Sequence, residues 1–349
     1  MMPLLNNTPS RMTVDDFLLL KVLGKGAYGK VFQARKKDTN QVYALKVVGK
    51  PDSELESTHL KDEIRILENV KSPFICQMFH RFETKQSVYM VLELLSGGEL
   101  FNILNREKSL TEDATRYYVA QIALGLEHLH NQNVVYRDLK AINVMLGRCG
   151  NIKLTDFGLS KFNFIKGSKT STFCGTYEGM APELMRRVPY DHSVDIWALG
   201  ILMYDMMCGG PPFTGDSKEE IKTKIQCGVI KYPKKLSSQC KTVIKALLTR
   251  NVQKRITLAN LKTMDFFRSI NWEKLEEGKF DSPPFIPELK SDDDVSHFDT
   301  CFTDLPPIES PCKKVREDND CCADGKVDDA FDGFEGTNWF TSEWNSNTF

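Results

Sequence analysis

The ten cysteines of this 349-residue chain include no CxxC pair, and only Cys321 and Cys322 are adjacent. Such spacing supports neither a zinc knuckle nor a dithiol redox motif. A disulfide scaffold fits poorly with a long chain that is 41% hydrophobic, so free thiols in a reducing compartment are expected. An excess of one charge is also lacking. Lys and Arg number 46 against 47 Asp and Glu, which argues against nucleic acid or an anionic membrane surface as partner. No apolar run approaches the length of a membrane-spanning helix. The opening stretch MMPLLNNTPSRMTVDD has no long apolar core behind a basic head, so no secretory signal is expected. No internal repeat is found. The length admits one large domain or two ordinary ones.

What is present falls into three compositional parts. Residues 17 to about 93 alternate β-rich runs (FLLLKVL, KVFQAR, VYALKVV, SVYMVLELL) with one helical stretch, LKDEIRILENV, whose Ile64, Leu67 and Val70 recur at helical spacing. Residues 97–267 read mainly helical, with TEDATRYYVAQIALGLEHLH long, periodic and opened by a Thr-led acidic cap. From 268 onward Pro, Asp and isolated aromatics mix, which suits an extended segment lying on another surface. Residues 311–330 are acidic and poor in large apolar groups, so they are expected to be mobile. A small β-rich lobe beside a larger helical lobe implies a cleft between them, where small ligands usually bind.

Several motifs point to phosphate chemistry. LGKGAYGKV places Gly24, Gly26 and Gly29 between two strand-like runs. Glycine lets backbone approach a phosphate with no Cβ in the way. Because the loop enters a strand rather than a helix, it differs from a dinucleotide-binding turn, although a plain glycine-rich hairpin reads the same in isolation. Lys46 lies inside the apolar strand VYALKVV, where an ammonium is costly unless paired or bound to an anion. Glu63 in the following helix is the obvious partner; the competing reading is a lysine that snorkels and a surface glutamate. Asp156 follows the strand-like NIKL and, with Asn143, offers oxygen ligands suited to Mg²⁺. Taken alone, the DFG triplet reads equally well as an Asp-Gly turn.

Together GKGAYGKV, YALK, Glu63, YRDLKAIN, DFG and APE (181–183) stand in the order and broad spacing of the protein-kinase signature set. Residues 17–267 thus resemble a eukaryotic serine/threonine protein kinase, which implies an α+β bilobal fold. Short extensions are set off at 1–16 and 338–349. YRD, with TFCGT before APE, resembles the AGC group. The stretches FFRSINWEKL, PPFIPELKSDDDVSHFD and PPIESP make residues 268–337 similar to the C-terminal tail of the p70-type ribosomal-protein kinases.

The resemblance implies ATP and Mg²⁺ as cofactors and a role for each matching residue. Gly24, Gly26, Gly29, Val31, Ala44, Lys46, Glu63 and Asp156 hold the nucleotide, with Leu92 to Leu94, including Glu93, as the hinge under adenine. Asn143 and Asp156 hold the metal. Asp138 orients or accepts the hydroxyl proton, Lys140 neutralises the transferred group, and Thr176 braces both. Tyr136, Phe157, Leu67 and Met78 form an apolar stack between lobes, and Glu183 with Arg255 a structural ion pair. Thr172 is the implied activating phosphoacceptor, surrounded by His59, Arg137 and Lys161, and its partner is an upstream kinase of the phosphoinositide-dependent type. Glu99 and Asp205 are the implied readers of a basic R-x-R-x-x-S/T substrate. A monomer, located in the cytoplasm and extending to the nucleus, is expected.

The chain also departs from that pattern. Ala141 and Ile142 replace the usual Pro-Glu pair, losing a carboxylate that touches nucleotide ribose and a basic substrate residue. That loss corresponds to a charged hydrogen bond of ~1.5–3 kcal/mol. Gly179 replaces a tyrosine beneath the peptide site. In FDGFEGTNWF, Phe331 and Phe334 match the hydrophobic motif, while Glu335 stands where a phosphoacceptor is usual. Its fixed charge implies a weaker, constitutive dock on the small lobe. Ser310 matches the turn-motif site. The family's autoinhibitory tail and a target-of-rapamycin docking motif are not recognisable. A catalytically weak or scaffold-type kinase, or a neighbouring AGC branch, is the alternative reading.

Overall fold

The structure is a computed structural model and describes residues 12–26, 29–165, 167–170, 172, 174 and 177–309. Its small lobe is a five-stranded antiparallel sheet in the order β1-β2-β3-β5-β4 with one helix, α1. The strands are β1 (Phe17–Lys25), β2 (Gly29–Lys36), β3 (Val42–Gly49), β4 (Met78–Glu83) and β5 (Ser87–Leu92), and α1 spans Glu54–Asn69. Alternation of side chains along a strand explains the placement of Lys46. Leu45 and Val47 enter the core formed with Phe17, Val22, Phe32, Phe82, Tyr89 and Val91, so Lys46 between them faces the opposite side. Helix α1 is capped by Ser53, whose side chain accepts from Glu56 N at 3.2 Å, and it buries Glu63, Ile64, Ile66 and Leu67.

The large lobe is built on α2 (Leu100–Glu107), α3 (Glu112–Asn131) and α5 (Ser193–Cys208), with the two-stranded β6 (Val144–Leu146) and β7 (Ile152–Leu154) above them. Helix α5 buries nearly every residue from Val194 to Met207, as expected for a helix apolar on all faces. It ends at Gly209, whose φ of +79° suits a left-handed cap. Shorter helices α4 (Pro182–Met185), α6 (Lys218–Cys227), α7 (Ser238–Leu247), α8 (Leu258–Lys262) and α9 (Trp272–Glu276) complete the lobe. Among the described residues, no helix is long and apolar enough to cross a membrane. Val134 and Val135, strand-like in sequence, form only an isolated bridge from Val135 to Lys161.

Residues 280–309 lie along both lobes, with one short helix, α10 (Thr300–Thr303). Phe285 stacks on Tyr118 of α3 at 6.4 Å between centroids. Gly150 leaves room for it, since a Cβ there would fall 2.0 Å from Phe285 O. Further on, Gln33 donates to Asp293 O at 2.9 Å, Lys21 to Thr303 O at 3.2 Å, and Tyr89 to Glu309 Oε2 at 3.0 Å. Phe302 packs on the small-lobe core.

Candidate active site

The β1–β2 hairpin roofs the cleft. Gly29 is required by close backbone approach: a Cβ there would stand 2.0 Å from Val47 O of β3. Among the described residues, nothing lies within 4 Å of a Cβ built at Gly24 or Gly26. Val31 pairs with Lys46, and Ala44 with both Gln33 and Leu92. Val31 thus lies opposite Lys46 on the neighbouring strand β2, and Ala44 two residues before Lys46 on β3 itself.

Lys46 Nζ lies 2.6 Å from Glu63 Oε1 and 3.2 Å from Asp156 Oδ1. Burial alone would push this ammonium down, but Asp156 and Glu63 outweigh it and hold it above the usual lysine range. Burial pushes the Glu63 carboxyl up, against the pull of Lys46. Lys46 in turn holds the Asp156 carboxyl below the ordinary range. The lysine is therefore charged and Asp156 ionised, and Asp156 stays 54% exposed toward the cleft.

Opposite stands the loop 136–143. Asn143 Nδ2 donates to Asp138 Oδ2 at 2.8 Å and to Asp138 O at 2.9 Å. Lys140 Nζ is 2.9 Å from Asp138 Oδ2. Asn143 ends the turn 141–143, and its carbonyl accepts from Thr155 N at 3.0 Å, which brings it level with Asp156. The Asn143 amide spends its N–H groups on Asp138, so its oxygen is the atom turned to other use. An amide oxygen and an ionised carboxylate suit a hard cation such as Mg²⁺, which keeps waters and phosphate oxygens as its remaining ligands.

Asp195, not singled out from the sequence, fixes this loop. Its carboxylate accepts from Tyr136 N at 2.9 Å and Arg137 N at 2.7 Å, and meets His130 Nε2 at 2.8 Å. Arg137 has φ +69°, a conformation that a side chain adopts only when its surroundings hold it there. A sequence signal existed: one aspartate inside the otherwise apolar SVDIWALGILMY demands a buried partner. Tyr136 and Phe157 meet edge-on at 5.4 Å and are both fully buried, with Leu67 and Met78 also buried.

At the hinge, the Glu93 side chain is already engaged by protein groups. The Glu93 side chain accepts from Gln77 N at 2.6 Å and pairs with Lys153 at 2.8 Å. Its backbone N–H donates to Gln77 O at 2.9 Å. Glu93 thus has its backbone carbonyl, not its side chain, to offer a nucleotide. Leu94 is half-buried beside it.

Around the activation segment, Lys161 Nζ donates to Thr170 Oγ1 at 3.2 Å, which lies 3.3 Å from Thr172 Oγ1. Tyr190 OH donates to Thr172 O at 2.7 Å and accepts from Arg137 at 3.4 Å. Burial and then Arg137 lower the pKa of His59. Arg137 and Lys161 thus each reach Thr172 through one intervening hydroxyl, that of Tyr190 or of Thr170, and His59 lies in the field of Arg137. Burial and then Asp299 push the Glu99 carboxyl, at the start of α2, up to about 7, and burial pushes Asp205, on α5, up to about 6. Arg255 donates two hydrogen bonds to the Glu183 carboxylate, at 2.6 and 2.9 Å, in a buried ion pair. Thr176, Ser310, Phe331, Phe334 and Glu335 lie outside the described residues.

Comparison with known proteins agrees with this arrangement. Residues 17–267 match the protein kinase domain family, and residues 289–335 match the protein kinase C terminal domain. The chain is 44% identical over 319 residues to ribosomal protein S6 kinase beta of Caenorhabditis elegans, covering 88% of this chain and 58% of that protein. It is 40% identical to a RAC family serine/threonine-protein kinase homolog of Dictyostelium discoideum, covering 93% and 72%. It is 42% identical to ribosomal protein S6 kinase 2 alpha of Xenopus laevis, covering 85% and 42%. The chain thus spans about half the length of the S6 kinases it matches. With a glycine roof, a paired lysine and an ordered Asp138–Asn143 loop in one cleft, the chain belongs to the protein kinase family, in the AGC branch that carries a C-terminal kinase extension.

Proposed function

We propose that this chain transfers the γ-phosphoryl group of ATP to serine or threonine hydroxyls of basic proteins, in signalling of the p70 ribosomal-protein kinase type. One observation carries the reading: Lys46, Glu63 and Asp156 meet across the cleft from Asp138, Lys140 and Asn143. Phosphoryl transfer asks for positioned charge more than for covalent chemistry. Lys46, oriented by Glu63, binds the α/β-phosphates beneath Gly24–Gly29. Asp156 and Asn143 would hold Mg²⁺, whose charge would offset that of the phosphates. Asp138 orients the acceptor hydroxyl and takes its proton, and Lys140 faces the transferred group.

A phosphate on Thr172 would add nearly two negative charges beside Arg137, Lys161 and His59. It would steady Asp138 through Arg137, and a phosphoinositide-dependent type of kinase is the proposed writer. Glu99 and Asp205 are the proposed readers of an R-x-R-x-x-S/T site. The protein is proposed to act as a monomer in the cytoplasm and nucleus; scattered cysteine spacing supports a reducing compartment.

The test is turnover of an R-x-R-x-x-S peptide by purified protein with Mg·ATP, beside Asp138→Asn. The variant should lose activity by orders of magnitude; equal rates would leave a scaffold role ahead. Thr172→Ala should lower the rate sharply, and unchanged turnover refutes its regulatory assignment.

A further inference from the structure

The surface beside Asp138 has two unusual residues. Ile142 is 41% exposed on the turn 141–143, next to Asn143, which holds Asp138. Gly179 stands by the same loop: among the described residues, a Cβ built there meets only Leu139 O, at 3.9 Å. Leu139 directly follows Asp138. An apolar side chain and a residue with no side chain therefore both border the loop that carries the proton-handling carboxylate.

The path of a peptide can be placed. Glu99 caps the N-terminus of α2 and bridges Met145, while the body of α2 packs on the turn 141–143. Asp138 is tied to the end of that turn by Asn143 Nδ2, at 2.8 Å. A peptide extended from Glu99 to Asp138 crosses the turn, and three residues of extended chain span roughly 10 Å. The residues crossing it are those between the arginine held by Glu99 and the acceptor hydroxyl. No carboxylate stands on the turn to receive a second cation, and the neighbouring Lys140 ammonium repels one.

We propose that Ile142 and Gly179 border an apolar subsite. It takes an aliphatic or aromatic side chain from the one or two substrate residues directly before the acceptor. The inference rests on the kinase reading above and narrows its substrate class to peptides of mixed basic and apolar character.

The test uses peptides with arginine three positions before a serine, with each intervening position set in turn to Leu, Phe, Gly or Arg. Both kcat/KM and binding are measured, the latter by fluorescence anisotropy with Mg·ADP. Leu or Phe at one intervening position should exceed Arg by about tenfold, the scale of one apolar pocket contact. Ile142→Glu should reverse that order. Gly179→Tyr, which adds a large side chain there, should remove the advantage of Phe. Turnover with no apolar preference, or a preference that Ile142→Glu leaves unmoved, overturns the subsite and spares the kinase reading. Apolar selection in anisotropy without turnover supports the subsite and overturns the kinase reading. Absence of both binding and turnover overturns both.

Discussion

Asp195 and Glu99 act through opposite uses of burial. The Asp195 side chain, 0% exposed, carries three bonded partners, Tyr136, Arg137 and His130. It keeps Arg137 at φ +69°, and it acts on the loop rather than on substrate. Asp195→Asn should cut kcat strongly while changing the ATP KM little, because one amide cannot accept from both backbone N–H groups through two oxygens. A KM that rises in step with the loss of kcat would show general unfolding instead. Glu99 has few bonds and a carboxyl raised to about 7 by burial and Asp299. Protonated below that value, it has little attraction for arginine. The KM for a basic peptide should therefore fall as pH rises through 7, and Glu99→Gln should flatten the profile.

At the scale of elements, motif and geometry agree where the chemistry is local. GKGAYGKV, VYALKVV and YRDLKAIN each lie within one hairpin, strand or turn, so their residues were legible once the motifs were taken together as a resemblance to the protein-kinase signature set. Gly29 shows why: β2 runs so close to β3 that Val47 O occupies the place of a Cβ. Gly29→Ala should raise the ATP KM several-fold and destabilise the small lobe by about 1–3 kcal/mol, the usual cost of overpacking. A melt and an ATP titration check both. Asp195 was missed because it serves residues nearly sixty positions away. The Glu93 side-chain partner, Lys153 of β7 in the other lobe, was likewise not visible in the sequence. Long-range polar partners leave no periodic trace.

Across the whole molecule, two devices hold the architecture. The first is the Glu183–Arg255 pair, with side chains 5% and 0% exposed and the guanidinium over Trp197 at 5.2 Å. Removing one partner strands a buried charge, so Arg255→Ala should cost about 3–5 kcal/mol in urea unfolding. The second is residues 280–309. Their extended character was legible from Pro and Asp content, but their course was not, since the anchoring bonds of Asp293 and Thr303 reach back to β2 and β1. Truncation after residue 279 should lower the melting temperature through loss of Phe285 and Phe302, each worth about 1.5–3 kcal/mol if fully buried. It should also raise the ATP KM. The lobes meet at the hinge near Glu93, at the bridge between Ile75 and Leu154, and again along this strap. A segment anchored on both lobes couples them: any shift of Lys46 relative to Asp156 has to be taken up by its contacts as well as by the hinge.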